Sequence, residues 1–356
     1  MVQADPKVLR RRWEEGAETG GGSRRDEMVQ ILKTQCRRGD PQRPRNLDLR
    51  GINLVHENLS GLDFSGYDLS HANLNRADIS KGNFSYARLV HATLEHGILD
   101  ECEFIGADLS GAVLNECSAR MGGFGGATLE RASMINGDFS DAVFSRSILK
   151  GADFRAAKLL GARLSESDLS RAVFTRANLE RADLKQSNVN QTHFQLANMQ
   201  RCRLLGIRNF KGADWVGADI RDMDLRGAYL VRRHIADENY LFEFQSQGPV
   251  HKAIYHIWWL TSDCGRSLSR WFLWLLAATL AFGAIYTHVA IDFGDYETWF
   301  SPIYFSFVTL TTLGYGDAVP KSLVAQWVVT LQAVTGYMGL GGLLSILGNK
   351  MARRAE

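Results

Sequence analysis

Proline and cysteine are scarce in this sequence, 6 and 5 residues in 356. No apolar run long enough to cross a membrane occurs before Arg270. No sign of charge dominates either: 41 basic against 39 acidic residues give a net +2, which favours neither nucleic acid nor any other charged partner. The cysteines form no CxxC and no metal-ligand spacing, so neither a zinc centre nor a disulfide framework is expected. The opening "MVQADPKVLRRRWEEG" is basic but has no apolar core behind it, so the N-terminal part is expected to stay in the cytoplasm. No catalytic triad, paired carboxylates, Walker loop or GxGxxG in strand–helix context is present. The nine histidines do not cluster; His71 and His91 fall twenty residues apart and read as surface residues. An enzyme is therefore not expected, nor a cofactor.

What is present instead is a period of five. From Leu49 to Leu204 every fifth residue is apolar, and 31 of these 32 positions hold Leu, Ile, Val, Met or Phe, Ala119 being the exception. Two residues before each lies a tiny side chain. From Ala72 to Cys202 these 27 positions hold 16 Ala, 4 Gly, 3 Ser, 3 Cys and 1 Thr. A helix repeats at 3.6 and a strand at 2, so neither explains the pattern. A short period held over so many residues signals a solenoid whose interior takes one large and one tiny side chain per five residues. Cys102, Cys117 and Cys202 then read as small core residues.

The large positions carry a second rhythm of twenty. Phe64, Phe84, Phe104, Phe124 and Phe144 form one column, opposite Leu54, Leu74, Leu94, Leu114 and Met134. The columns then exchange: Phe154, Phe174 and Phe194 stand opposite Leu164, Leu184 and Leu204. One Phe per cross-section, changing walls after residue 144, conserves volume in a tube with four five-residue sides.

Segments such as "GADLS", "RANLE" and "RADLK" resemble the A(D/N)LXX pattern of the pentapeptide-repeat family. Over residues 46–230 that resemblance implies a right-handed quadrilateral β-helix of about nine coils. The register slips by one near Leu205–Asn209 and is expected to resume at Phe210, Trp215, Ile220, Leu225 and Leu230. Residues 1–45 are expected to supply a linker, "GAETGGGS" (16–23), and a capping helix over 26–36 with Met28, Ile31 and Leu32 on one face. Residues 231–270 read as a second cap, over 235–247, and a link to the membrane. Charge is uneven: residues 46–119 hold 11 acids and 4 bases, residues 120–211 hold 8 acids and 15 bases. That basic half reads either as a solvated surface or as a face for anionic lipid head groups.

Beyond Arg270 the character changes. Residues 271–291 are 21 without formal charge, spanning roughly 31 Å as a helix, the thickness of a bilayer's apolar core. Residues 322–349 are 28 more. Two membrane spans follow. Lys252, Arg266, Arg270, Lys350, Arg353 and Arg354 flank their outer ends, against Lys321 alone in the connection, so both termini are expected in the cytoplasm. Trp258, Trp259 and Trp271 suit the inner interface and Trp299 the outer one. Residues 351–356 form a short basic tail, and with the sequence ending there no C-terminal gating domain is expected.

Between the spans, Ser301 and Pro302 suit a helix start and the helix is expected to end near Thr311. "TTLGYGD" (311–317) then matches the signature of potassium channels. With one span on either side, residues 271–350 resemble the two-transmembrane pore-loop type. The resemblance implies that K⁺ is bound by the backbone carbonyls of Thr312, Leu313, Gly314 and Tyr315, with Gly316 completing the filter. It implies filter support from Asp317, Tyr304 and Phe305, a gating hinge at Gly336, and a homotetramer in which each chain gives one filter strand. Leu313 stands where the commonest family sequence has Val, and Val308 where some relatives carry a carboxylate. The expected protein is thus multidomain, a β-solenoid followed by an α-helical channel domain of a prokaryotic inner (plasma) membrane. Its partners are membrane lipids and an unknown cytoplasmic ligand, not nucleic acid. Two other readings stand beside it: a non-selective cation pore, or a membrane-anchored repeat module. Some repeat proteins imitate DNA to bind topoisomerases, but residues 46–230 count 23 acids against 21 bases, too balanced for such a mimic.

Overall fold

The structure is a computed structural model that describes residues 5–14, 23–40, 43–44, 47–224, 228–295 and 297–355, with side chains as far as 348. The glycine-rich linker 16–22, Leu225 and the side chains of the basic tail lie outside the described residues. The chain divides into two compact units, Met1–Tyr240 and Leu241–Glu356.

The first unit is a four-sided β-helix. Single parallel bridges join each outward residue to the one twenty further on, from Asp48↔Asp68 through Asn188↔Arg208. In each side the amides of consecutive residues bond in opposite directions: Leu74 N–H donates to Thr93 O at 2.7 Å, and Asn73 N–H to Ile52 O at 2.8 Å. Corners close by a hydrogen bond across a turn, as from Ala72 N–H to Leu69 O at 2.9 Å. Every fifth residue from Gly51 to Gly206 sits at such a corner with φ between +54° and +74°. Most are not glycine, and a left-handed L-residue costs on the order of 1 kcal/mol, which the ladder and corner bonds offset. The Asp and Asn of the repeat accept from the amide two residues on, as Asp68 Oδ1 does from Ser70 N–H at 3.0 Å. That explains why those residues recur there.

Inside the tube the phenylalanines stack. Phe64, Phe84, Phe104, Phe124 and Phe144 follow one another at 4.7–5.0 Å with nearly parallel rings. The second column, Phe154, Phe174, Phe194 and Trp215, runs at 4.9, 5.3 and 4.5 Å. The exchange is made by Phe139, whose ring meets Phe124, Phe144 and Phe154 edge-on or tilted. That coil holds two phenylalanines, so the expected single Phe per cross-section fails there. Ala119, the one small residue at a large position, is the coil neighbour of Phe139 and donates to Asp138 O at 2.7 Å. The lost volume at 119 accommodates the added ring at 139. The tiny positions that are polar spend their hydrogens on wall carbonyls: Cys102 on Ile79 O at 2.8 Å, Thr192 on Leu169 O at 2.7 Å. Burial pushes the Cys102 and Cys202 thiols up to about 12.

Three boundaries differ from the sequence reading. The extra residue enters after Arg208, where a 3-10 turn Phe210–Gly212 follows left-handed Asn209 and the pairing becomes twenty-one, as in His193↔Asp214. Phe210 is therefore only partly buried, and the buried register resumes at Trp215. Among the described residues the last ladder pairing is Arg203↔Asp224; Leu230 is exposed on a helix, α3 (Tyr229–Ser246), whose Val231 and Ile235 close the core instead. At the other end two helices form the cap, α1 (Pro6–Arg11) and α2 (Arg24–Gln35). Leu9, Trp13, Val29, Leu32 and Cys36 are buried there, while Met28 and Ile31 only flank that face. Arg12 forks onto Asp48, and Arg50 together with Arg12 holds that carboxyl well below the usual carboxylate range.

The second unit is helical: α4 (Pro249–Ser262), α5 (Leu268–Tyr286), α6 (Ser301–Leu310) and α7 (Leu323–Ala355). An antiparallel pair, β1 (Ile291–Asp292) with β2 (Val319–Pro320), ties the end of α5 to the segment before α7, and Lys321 bonds Asp292 at 3.1 Å. Against the expected span 271–291, α5 starts earlier at the Ser267 cap and stops at Tyr286. Helix α4 was not anticipated; three left-handed residues, Asp263, Cys264 and Gly265, turn the chain from it into α5. Only 11% and 22% of the apolar windows of α5 and α7 are buried within the chain, unlike the core helices of a soluble protein.

If Ala119 makes room for Phe139, Ala119→Leu destabilises the rod by about 1–3 kcal/mol and Phe139→Leu in the same chain relieves part of that loss. A double-mutant cycle by denaturant unfolding checks it; additive effects contradict the compensation.

Candidate functional site

Helix α6 begins one residue earlier than expected. Phe300 is the N-cap, Pro302 lies in the first turn, and the Ser301 hydroxyl accepts from Thr298 N–H at 2.8 Å. The helix stops at Leu310, with Thr311 N–H still bonded to Phe307 O at 3.0 Å. Two further bonds fold the chain back under it, Thr312 N–H to Thr309 O and Leu313 N–H to Val308 O, both 3.1 Å. From there the backbone alternates. Thr312, Gly314 and Gly316 have φ of +58°, +52° and +77°, while Leu313 and Tyr315 between them do not. Glycine suits 314 and 316 because a side chain there is strained even though a Cβ would meet nothing within 4 Å. Among the described residues no protein donor reaches the carbonyls of Thr312, Leu313, Gly314 or Tyr315. Leu313 and Tyr315 are more than half exposed in the single chain.

Of the expected support residues, Tyr304 and Asp317 are brought together. The tyrosine hydroxyl lies beside the carboxylate, and both line a cleft of about 490 Å³ with Phe293 and Thr298. Phe305 is placed differently: it is buried, with its ring 5.0 Å from Tyr286 and 6.2 Å from Phe293. It therefore braces α6 on α5 and is not grouped with Tyr304 and Asp317. Gly336 lies where a Cβ would run into the carbonyl of Leu310, the last residue of α6. Gly339 faces Leu275 and Gly342 faces the Trp271 ring in the same way, and Trp271 Nε1–H donates to Gly339 O at 2.8 Å. These three glycines form the close-packing stripe of α7. Helix α7 continues through Gly336, where the observed contact is close packing against the end of α6.

A buried polar network joins α5, α6 and α7, and sequence reasoning missed it. Ser306 Oγ–H donates to Thr279 O at 2.7 Å; Gln332 Nε2–H donates to Ser306 O at 2.9 Å; the Tyr286 hydroxyl bonds Gln332 Oε1. Ser306 and Gln332 are fully buried. Polar side chains in an apolar surrounding stay only when satisfied, and here each satisfies another. The available signal was Gln332, one of two glutamines in an uncharged run of 28.

Two long apolar helices, a short helix stopping between them and a backbone of alternating φ together define a pore-loop membrane domain. Residues 274–353 match the family model described as ion channel, and eight copies of the pentapeptide repeat match between residues 48 and 208. The chain thus carries an ion-channel domain over residues 274–353 and pentapeptide repeats between 48 and 208. No curated protein matches it. Among solved structures it is similar to HetL, a pentapeptide repeat protein involved in heterocyst differentiation regulation from the cyanobacterium Nostoc sp. strain PCC 7120. That match has 26% identity over 57% of this chain and 94% of that one, with TM-score 0.29. A trypsin-treated variant of QnrB1, a plasmid-mediated fluoroquinolone resistance protein, is 20% identical over 54% and 96%, with TM-score 0.42. A pentapeptide repeat protein of the Arabidopsis thaliana thylakoid lumen is 21% identical over 52% and 90%, with TM-score 0.15.

The stripe predicts unequal responses along α7. Gly336→Ala forces Leu310 away and lowers the melting temperature of the purified protein by several degrees, whereas Gly341→Ala, whose Cβ meets nothing, is neutral or stabilising by up to about 1 kcal/mol. Equal melting shifts for the two variants contradict the packing role.

Proposed function

We propose that the protein is a homotetrameric potassium-selective channel. The observation that carries this is the row of four carbonyls, Thr312 to Tyr315, left without protein donors beyond α6 and between two apolar spans. Alternating the sign of φ lets successive carbonyls, which point to opposite sides in an ordinary strand, turn toward one side. Such backbone is tolerated at membrane depth only where it lines a protein cavity. Four copies around an axis give rings of carbonyl oxygens that replace the water shell of a K⁺ ion, which moves by knock-on between adjacent rings. Gly316 and the Tyr304–Asp317 pair hold the outer end of the filter. The C-terminus of α6, pointing its partial negative charge along the same axis, favours a cation below the filter. Both termini lie in the cytoplasm of a plasma membrane, and the repeat rods act as scaffold or regulatory domain for a cytoplasmic ligand or partner. Tyr315 favours this over a non-selective pore, because departures at that position mark the non-selective relatives.

The test is the reversal potential of the purified protein in liposomes under opposed K⁺ and Na⁺ gradients. The wild type reverses near the K⁺ equilibrium potential, and Gly314→Ala loses that selectivity or the current. A reversal near zero in the wild type leaves a non-selective cation pore, and no current leaves a membrane-anchored repeat module.

A further inference from the structure

The carbonyl row hangs from α6, since Thr312 N–H donates to Thr309 O and Leu313 N–H to Val308 O. Whatever fixes α6 along the two spans therefore fixes the depth of the row. On α7, Gln332 meets Ser306 and Gly336 lies against Leu310. Both contacts advance by four residues, so α6 and α7 run side by side in one direction. On α5, Thr279 meets Ser306, and a Cβ at Gly283 would lie 3.2 Å from Ile303 Cα, so that pair runs antiparallel. The glycines set how closely the helices approach. Directional bonds set their register, and among the described residues those from α6 to the two spans all pass through Ser306.

That junction admits one arrangement. The Ser306 hydroxyl spends its hydrogen on Thr279 O, so toward α7 the residue offers two acceptors, Oγ and the carbonyl. Gln332 Nε2–H donates to both, at 2.6 and 2.9 Å. The Tyr286 hydroxyl donates to Gln332 Oε1 and so keeps the amide from turning over, which would set oxygen against oxygen. Ser306 and Gln332 are 0% exposed and Tyr286 1%, so solvent does not replace a lost partner.

We infer that Gln332 is a positioning residue of the pore: its amide, oriented by Tyr286, sets the depth and rotation of α6 and so the alignment of the carbonyls Thr312 to Tyr315. Gln332 acts through Ser306 and α6, not by touching the ion. The inference rests on that row being an ion site, but not on its preference for K⁺.

Calorimetric titration of the full-length protein in detergent with K⁺ or Na⁺, from an N-methylglucamine buffer, reads cation affinity without flux. Melting in the cation-free buffer reads stability separately. Gln332→Leu weakens K⁺ binding about 10-fold, as loss of an outer-shell partner does at a metal site. Tyr286→Phe weakens it less, and the double variant matches Gln332→Leu alone, because Tyr286 acts only through Gln332. Lowered melting with unchanged affinity, or additive losses in the double variant, overturns the inference. Tyr286→Phe removes a single oxygen and carries the same test where Gln332→Leu fails to assemble; unchanged affinity in it is equally fatal. Equal affinity of the wild type for K⁺ and Na⁺ defeats potassium selectivity and leaves the positioning role standing, whereas binding of neither cation overturns both.

Discussion

The satisfaction of peptide groups governs both units of this chain, in opposite ways. In the rod nearly every amide and carbonyl of the sides meets one a coil away, and the outward Asp and Asn side chains take up corner amides that the ladder cannot reach. In the pore loop a short row of carbonyls is left open on purpose of sequence: glycine at 314 and 316 and left-handed Thr312 keep it from closing into helix or strand. A backbone with no protein donors, held in an apolar setting, requires a cation or water as its partner.

The rod was legible because its constraint is strictly periodic. A tube closed every twenty residues admits one large and one tiny side chain per side, and both appear as columns in the sequence. What escaped was non-periodic. Phe139 bridges the two stacks only because Ala119 yields volume one coil earlier, a compensation between residues twenty apart that reads in the sequence as a lone exception. Outside the expected capping stretches 26–36 and 235–247, Leu9, Trp13 and Val231 escaped for a related reason. Leu9, Trp13, Val231 and Ile235 cover the ends through helical faces whose spacing has no relation to five, and Leu230, which kept the register on paper, turned outward once α3 began at Tyr229.

In the helical unit the spans and the α6–loop sequence were readable from charge and from the glycine spacing. Their mutual support was not. Ser306, Gln332, Tyr286 and Thr279 lie on three different helices, and no local pattern announces that they meet. Gly336 shows the opposite difficulty. A glycine in a long apolar helix suits flexibility and close approach equally in sequence, and the carbonyl of Leu310 lying against it is visible only in the fold. Helix α4 and the left-handed turn after it were hidden in what read as a linker.

A single chain supplies one strand of carbonyls and exposes Leu313, Tyr315 and much of α5 and α7. Those surfaces make physical sense when copies close around an axis and lipid covers the rest. Counting subunits in lipid nanodiscs by mass photometry tests that closure most directly. Four copies per particle is the result the account predicts; particles holding one or two copies would leave the open carbonyl row without a ring and contradict it.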